Sequence, residues 1–211
     1  MRQVIIPSIV AKDQKELNFL LKRMQGVSSR VHLDIVDGKF APNHSLDFKF
    51  RLRKNFKYSM HLMEKHPEEW VQKYHRYVDI FIPQLEEIHH PLQYILWCQR
   101  QKKKIALALK PETGISILKP FIKDLNYVLI LTVHPGFYGR IFLPAPLKKI
   151  KPLKRLNPHL KIIVDGGMNP QTIQQAAKAG ADYFISGSYL TKAENPRKAY
   201  KELMRAVLKV K

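Results

Sequence analysis

Short apolar runs rich in β-branched and aromatic residues recur eight times along the 211 residues, at 4–10, 31–36, 58–63, 79–85, 105–110, 127–133, 161–167 and 182–188. Between them lie longer amphipathic stretches such as "DQKELNFLLKRMQ", "PEEWVQKYHR", "HPLQYILWCQRQ" and "NPQTIQQAAKAG". A strand followed by a crossover helix returns to its sheet in the same direction, so this alternation predicts parallel pairing. Eight such units in so short a chain fit an α/β fold of one domain over 1–211, a compact (β/α)8 TIM barrel. A doubly wound open sheet is the competing architecture, but its Gly-rich turn after the first strand is missing, and Ser8 and Ala11 stand in that region. Asn169 and Pro170 form a helix start and Gly180 a helix end. Pro152, inside "LKKIKPLKRL", requires either a kink or a late helix start.

A closed barrel places its working residues at the C-terminal ends of its strands. Polar residues there are Ser8, His32, Asp34, His61, Asp165, Gly166, Gly167, Gly187 and Ser188. Alternation puts His32, Asp34 and Val36 of "VHLDIVDGKFAPN" on one face, and Asp37 on the other. With His61 and Asp165 they make an N2O2 donor set suited to one divalent ion, with Zn, Fe, Mn and Co all compatible. The competing reading satisfies each group by hydrogen bonds inside the barrel; four at equivalent strand ends favour the metal. Glycines recur at three neighbouring strand ends, in "HPGFYGR" at 134–140, "DGG" and "GS", where bare backbone admits a phosphate. Asp34 and Asp165 can flank a carbon beside a carbonyl, one removing a proton and the other returning one from the opposite face. That sequence passes through an enediolate and inverts the stereocentre. A divalent ion supplies the positive charge that stabilises its oxygens.

Lys+Arg number 37 against 17 Asp+Glu, a formal charge of +20 that favours anionic partners. The basic residues are dispersed, and neither zinc-finger spacing nor an RNA-binding aromatic motif accompanies them, so a phosphorylated metabolite is expected rather than nucleic acid. No run reaches the roughly 18 apolar residues of a membrane span. The single cysteine, Cys98, rules out an intramolecular disulfide and fits a cytoplasmic setting. His89 and His90, being adjacent, point apart and do not read as a metal pair.

The segments "PSIVAKD", "HLDIVDGKFAPN", "HLMEKHPEEW", "LTVHPGFYGRIF", "VDGGMNPQTI" and "AGADYFISGS" resemble the ribulose-phosphate 3-epimerase family in order and spacing, across essentially the whole chain. The resemblance implies a barrel of the ribulose-phosphate binding type and interconversion of D-ribulose 5-phosphate and D-xylulose 5-phosphate. It implies one divalent metal on His32, Asp34, His61 and Asp165, with Asp34 and Asp165 as the acid/base pair. Ser8, His32 and His61 would contact the substrate, and Gly136, Phe137, Tyr138, Gly139, Gly166, Gly167, Gly187 and Ser188 would surround its phosphate end. A homo-oligomer, dimer or hexamer, is also implied. The chain departs from the family pattern at Val36 and Leu131, where methionines are usual, and at Gln84, usually histidine. Further departures are Ser59, usually aspartate, and Tyr138, usually glycine. The altered pocket keeps a ketohexose phosphate such as D-allulose 6-phosphate as an alternative substrate, beside a phosphosugar-binding barrel without catalysis.

Overall fold

A computed structural model describes residues 3–135 and 141–210. Strands β1 (Val4–Ile9), β2 (Arg30–Asp37), β4 (Lys57–Met63), β5 (Ile80–Pro83), β6 (Lys104–Leu109), β7 (Tyr127–Leu131), β8 (Lys161–Asp165) and β9 (Tyr183–Ser186) pair in parallel. Pairing of β1 with β2 closes the ring. The architecture is therefore the expected TIM barrel. A two-residue strand, β3 (His44–Ser45), lies antiparallel on the end of β2.

The crossovers are carried by α1 (Gln14–Met24), α2 (Pro67–Tyr74), α3 (Pro91–Arg100), α4 (Ile150–Leu156), α5 (Pro170–Ala179), α6 (Ser188–Thr191) and α7 (Pro196–Leu208). Asn169 caps α5 through the N–H groups of Gln171 and Thr172, and Gly180 ends it with a left-handed φ of 102°. The helix around Pro152 starts late: a 3-10 turn over Ala145–Lys149 precedes α4, leaving Pro152 in the first turn, where its missing N–H has no intrahelical partner to lose. Two crossovers lack an α-helix. After β2, Leu46, Phe48, Phe50 and Leu52 alternate with polar residues, a period of two that does not give a helix one apolar face. Its Phe50 ring stacks on Tyr74 at 4.6 Å. After β6 only a 3-10 turn forms, Ile115–Leu118, with Pro111, Gly114 and Pro120 crowding the span.

Two layers of core result. Outward-facing strand residues such as Leu33, Met60, Leu107 and Ile162 pack under the helices. Cys98 joins them as a buried free thiol. Inside the barrel, Ile6, Ile82, Ala106, Ala108, Leu129, Leu131, Ile163 and Ile185 fill the middle. Each fully buried aliphatic side chain contributes about 1.5–3 kcal/mol, and this apolar plug supports the polar layer at the C-terminal mouth.

Just past β4, Glu64 is buried beside the Trp70 indole, with its Oε1 unpartnered. Burial pushes its pKa up to about 7; the Trp70 hydrogen bond opposes the rise and the Asp37 charge adds to it. Below the ordinary value of 4.5 the folded and unfolded chains both carry this proton. Between 4.5 and about 7 the unfolded chain ionises while the folded chain holds on, so the fold loses stability as pH rises through that window. Glu64→Gln is expected to raise the unfolding free energy by on the order of 2 kcal/mol at about pH 8 and to change it little near pH 4. Urea denaturation at both pH values measures this, and an equal effect at the two would contradict it.

Candidate active site

Parallel register builds the site. Ser8 pairs with His32, His32 with Ser59, and Asp34 with His61, so β1, β2 and β4 present these inward side chains in adjacent rows. Asp165 arrives from β8 across the mouth. The Thr132 N–H donates to the Asp165 carbonyl at 2.7 Å, and the Thr132 hydroxyl lies 2.9 Å from that oxygen and 2.7 Å from the Gly166 carbonyl. Gly166 then takes φ 112°, and a Cβ there would meet Val133 at 2.5 Å, so only glycine fits the turn.

One nitrogen or oxygen from each of His32, Asp34, His61 and Asp165 lies within 4.8 Å of all the others. Asp34 Oδ1 sits 3.3 Å from His32 Nε2 and 3.6 Å from His61 Nδ1, while Asp165 Oδ2 is 3.8 Å from His61 Nδ1. The far sides of these groups are engaged: Ser8 Oγ donates to Asp34 Oδ2, His32 Nδ1 is 2.8 Å from Ser59 Oγ, and His61 Nε2 is 2.8 Å from Gln84 Oε1. The near sides are not. His32 Nε2, Asp34 Oδ1 and His61 Nδ1 are buried without hydrogen-bond partners among the described residues. An unsatisfied buried polar atom costs about 1–3 kcal/mol; three aimed at one point fit a cation. Two imidazoles and two carboxylates suit a divalent transition ion.

Electrostatics separate the two carboxyls. Burial alone would raise Asp34, but His32 and His61 beside it hold the carboxyl well below its ordinary range. Asp165 is raised, by burial and by the Asp34 charge, against the pull of both histidines. Burial lowers His61, yet Asp165 and Asp34 outweigh it and push the imidazole up to about 9.

Above the cluster opens a cleft. Of the residues singled out in the sequence, Ser8, Asp34, Asp165, Gly166, Gly167, Gly187 and Ser188 line it. His32 and His61 lie fully buried beneath. Gly136, Phe137, Tyr138 and Gly139 fall outside the described residues. Val36 and Leu131 also line the cleft, as do Val10, Asn43, Met63, Val133, His134 and Met168, which lie within the quoted segments but were not singled out as site residues. Asp37, on the opposite face, anchors the loop that follows by accepting the N–H groups of Lys39 at 2.8 Å and Phe40 at 3.0 Å. Phe40 and Ala41 then pack on Val36 and Met63 at the rim. The contacts of Gln84 and Glu86 went unread in the sequence, although Gln84 shares the inward face of Ile82.

Comparison with known proteins agrees with this geometry. The chain matches the model of the ribulose-phosphate 3 epimerase family over residues 4–191. It is 30% identical to a ribulose-phosphate 3-epimerase of Candida glabrata, over 100% of this chain and 96% of that one. It is also 30% identical to the Bacillus subtilis protein of the same name, over 94% and 97%. Among solved structures, 3-hexulose-6-phosphate synthase from Salmonella typhimurium superposes with a TM-score of 0.69 at 12% identity, covering 99% of this chain and 100% of that one, a likeness of fold. The chain belongs to the ribulose-phosphate 3-epimerase family.

Proposed function

We propose that the chain interconverts D-ribulose 5-phosphate and D-xylulose 5-phosphate by inverting carbon 3, with one divalent ion held by His32, Asp34, His61 and Asp165. The observation that carries this reading is the meeting of two carboxylates from separate strands, at the floor of one cleft, with two buried imidazoles. One of Asp34 and Asp165 takes the carbon-3 proton; the other returns a proton to the opposite face of the planar enediolate. The Ser8 hydroxyl, donating to Asp34 Oδ2, orients that carboxylate for the transfer. Burial of the floor excludes water that would otherwise compete for the proton. When bound, a Zn, Fe, Mn or Co ion supplies positive charge for the oxygens that become negative as the proton leaves. Gly166, Gly167, Gly187 and Ser188, with Gly136, Phe137, Tyr138 and Gly139, are assigned the phosphate end. The remaining substrate contacts fall to Ser8, His32 and His61.

Val36 and Leu131 at the cleft wall favour one second reading, a ketohexose phosphate such as D-allulose 6-phosphate, because branched side chains replace the family's usual methionines there. The chain's place is read as the cytoplasm, as a homo-oligomer, in carbohydrate metabolism through the pentose phosphate pathway. No helix among the described residues is long and apolar enough to cross a membrane.

Incubation with ribulose 5-phosphate in heavy water, in the presence of a divalent ion, should give xylulose 5-phosphate with deuterium at carbon 3. Asp34→Asn and Asp165→Asn should each lower the rate by roughly 10²–10⁴. Turnover of the hexose alone would replace the pentose reading, and absence of exchange in metal-loaded protein would leave only sugar-phosphate binding. The charge of +20 should steer the anionic substrate. Raising ionic strength from low to about 0.3 M is therefore expected to cut kcat/KM several-fold with kcat nearly unchanged. Tight nucleic-acid binding that survives physiological salt would assign the charge elsewhere.

A further inference from the structure

We infer that Gln84 and Glu86 act as positioning residues, fixing which nitrogen of His61 is free to bind a divalent ion. The inference rests on the metal reading of the site and deepens it. His61 turns Nδ1 toward Asp34 and Asp165, and Nε2 toward Gln84 Oε1 at 2.8 Å. A glutamine amide can offer either its oxygen or its NH2, so Gln84 by itself would not decide where the imidazole proton sits. Glu86 decides it. Gln84 Nε2 donates to Glu86 Oε2 at 2.7 Å, and a carboxylate receiving that bond can only accept. The amide oxygen is therefore the end left for His61.

Glu86 is itself held in place. Its Oε1 accepts the Lys110 N–H at 2.8 Å and the Thr113 hydroxyl. Every side-chain hydrogen bond of Glu86 among the described residues is thus one it accepts, and donation converges on it from both sides, from Lys110 and Thr113 on one and from His61 through Gln84 on the other. Nε2 must donate to Gln84, and the neutral ring then carries its lone pair on Nδ1, the buried atom that has no other partner. His32 lacks this control. Its Nδ1 meets the Ser59 hydroxyl, which donates or accepts equally well, so nothing in that contact selects a tautomer.

Outer-shell partners of metal-bound histidine are typically worth 10–100-fold in affinity. Gln84→Met removes the acceptor at similar volume, and Glu86→Gln keeps the shape but frees the Gln84 amide to turn. Zinc affinity, measured by chelator competition on the full chain, should fall about 10–100-fold in both variants. Nitrogen-15 spectra of the zinc-loaded parent should show a protected proton on His61 Nε2, lost or weakened in both variants, a signature that a purely structural role would leave intact. Should Gln84→Met fail to fold, Glu86→Gln carries the test alone. Zinc affinity in the folded variants within about threefold of the parent, or a parent whose His61 proton sits on Nδ1, would overturn the inference. A parent that binds zinc with this signature yet leaves ribulose 5-phosphate unchanged would sink the proposed reaction and not this assignment. A parent that binds no zinc would remove the metal reading and this inference together.

Discussion

The approach of Asp34 to two fully buried imidazoles is the interaction around which the rest of the molecule is arranged. Burying ionisable groups is costly unless each is matched by a partner or an ion. Here the matching is done from several directions. Ser8 holds one oxygen of Asp34, Ser59 and Gln84 hold the outer nitrogens of the histidines, and Thr132 fixes the backbone behind Asp165. What is left unmatched points inward, to a single place. Other buried polar atoms in the described residues also lack partners, Glu64 Oε1 among them, but only these three converge, and it is the convergence that fits a cation site.

The barrel makes that convergence inexpensive. Parallel strands in fixed register deliver side chains to the same height, and the apolar layer of Ile6, Ile82, Leu129 and Ile163 beneath them needs no polar compensation. Rigid strands therefore carry the donor atoms, and strand ends (Val36 on β2, Met63 on β4, Leu131 on β7) share the cleft wall with the loops. The departures from the family pattern divide between that wall and the floor beneath it. Val36 and Leu131 alter the wall where substrate would lie, whereas Ser59 and Gln84 alter only the groups behind the histidines. The donor set itself is intact.

Much of this was readable from local pattern. The short apolar runs announce eight strands, because a strand buried on both faces leaves a short, dense hydrophobic signature. His32 and Asp34 stand out because charged residues inside such a run need a reason. Capping of α5 was equally legible, since Asn169, Pro170 and Gly180 act through their own backbones. The late start of α4 and the two crossovers without helices were not: a proline fits either a kink or a first turn, and the choice depends on what precedes it in space.

The sequence by itself thus determined which residue types are available and on which face of each strand they lie, because alternation is a property of the chain alone. Only the tertiary structure decided which of them meet. Asp165 reaches His61 across the mouth, a separation of 104 positions in the chain closed by the barrel, and no local period encodes that distance. The same holds for the path from Lys110 and Thr113 through Glu86 and Gln84 to His61. Hydrogen-bond direction is a relation among groups already brought together, so the tautomer of a buried histidine is settled by closure of the fold and not by its neighbours in sequence.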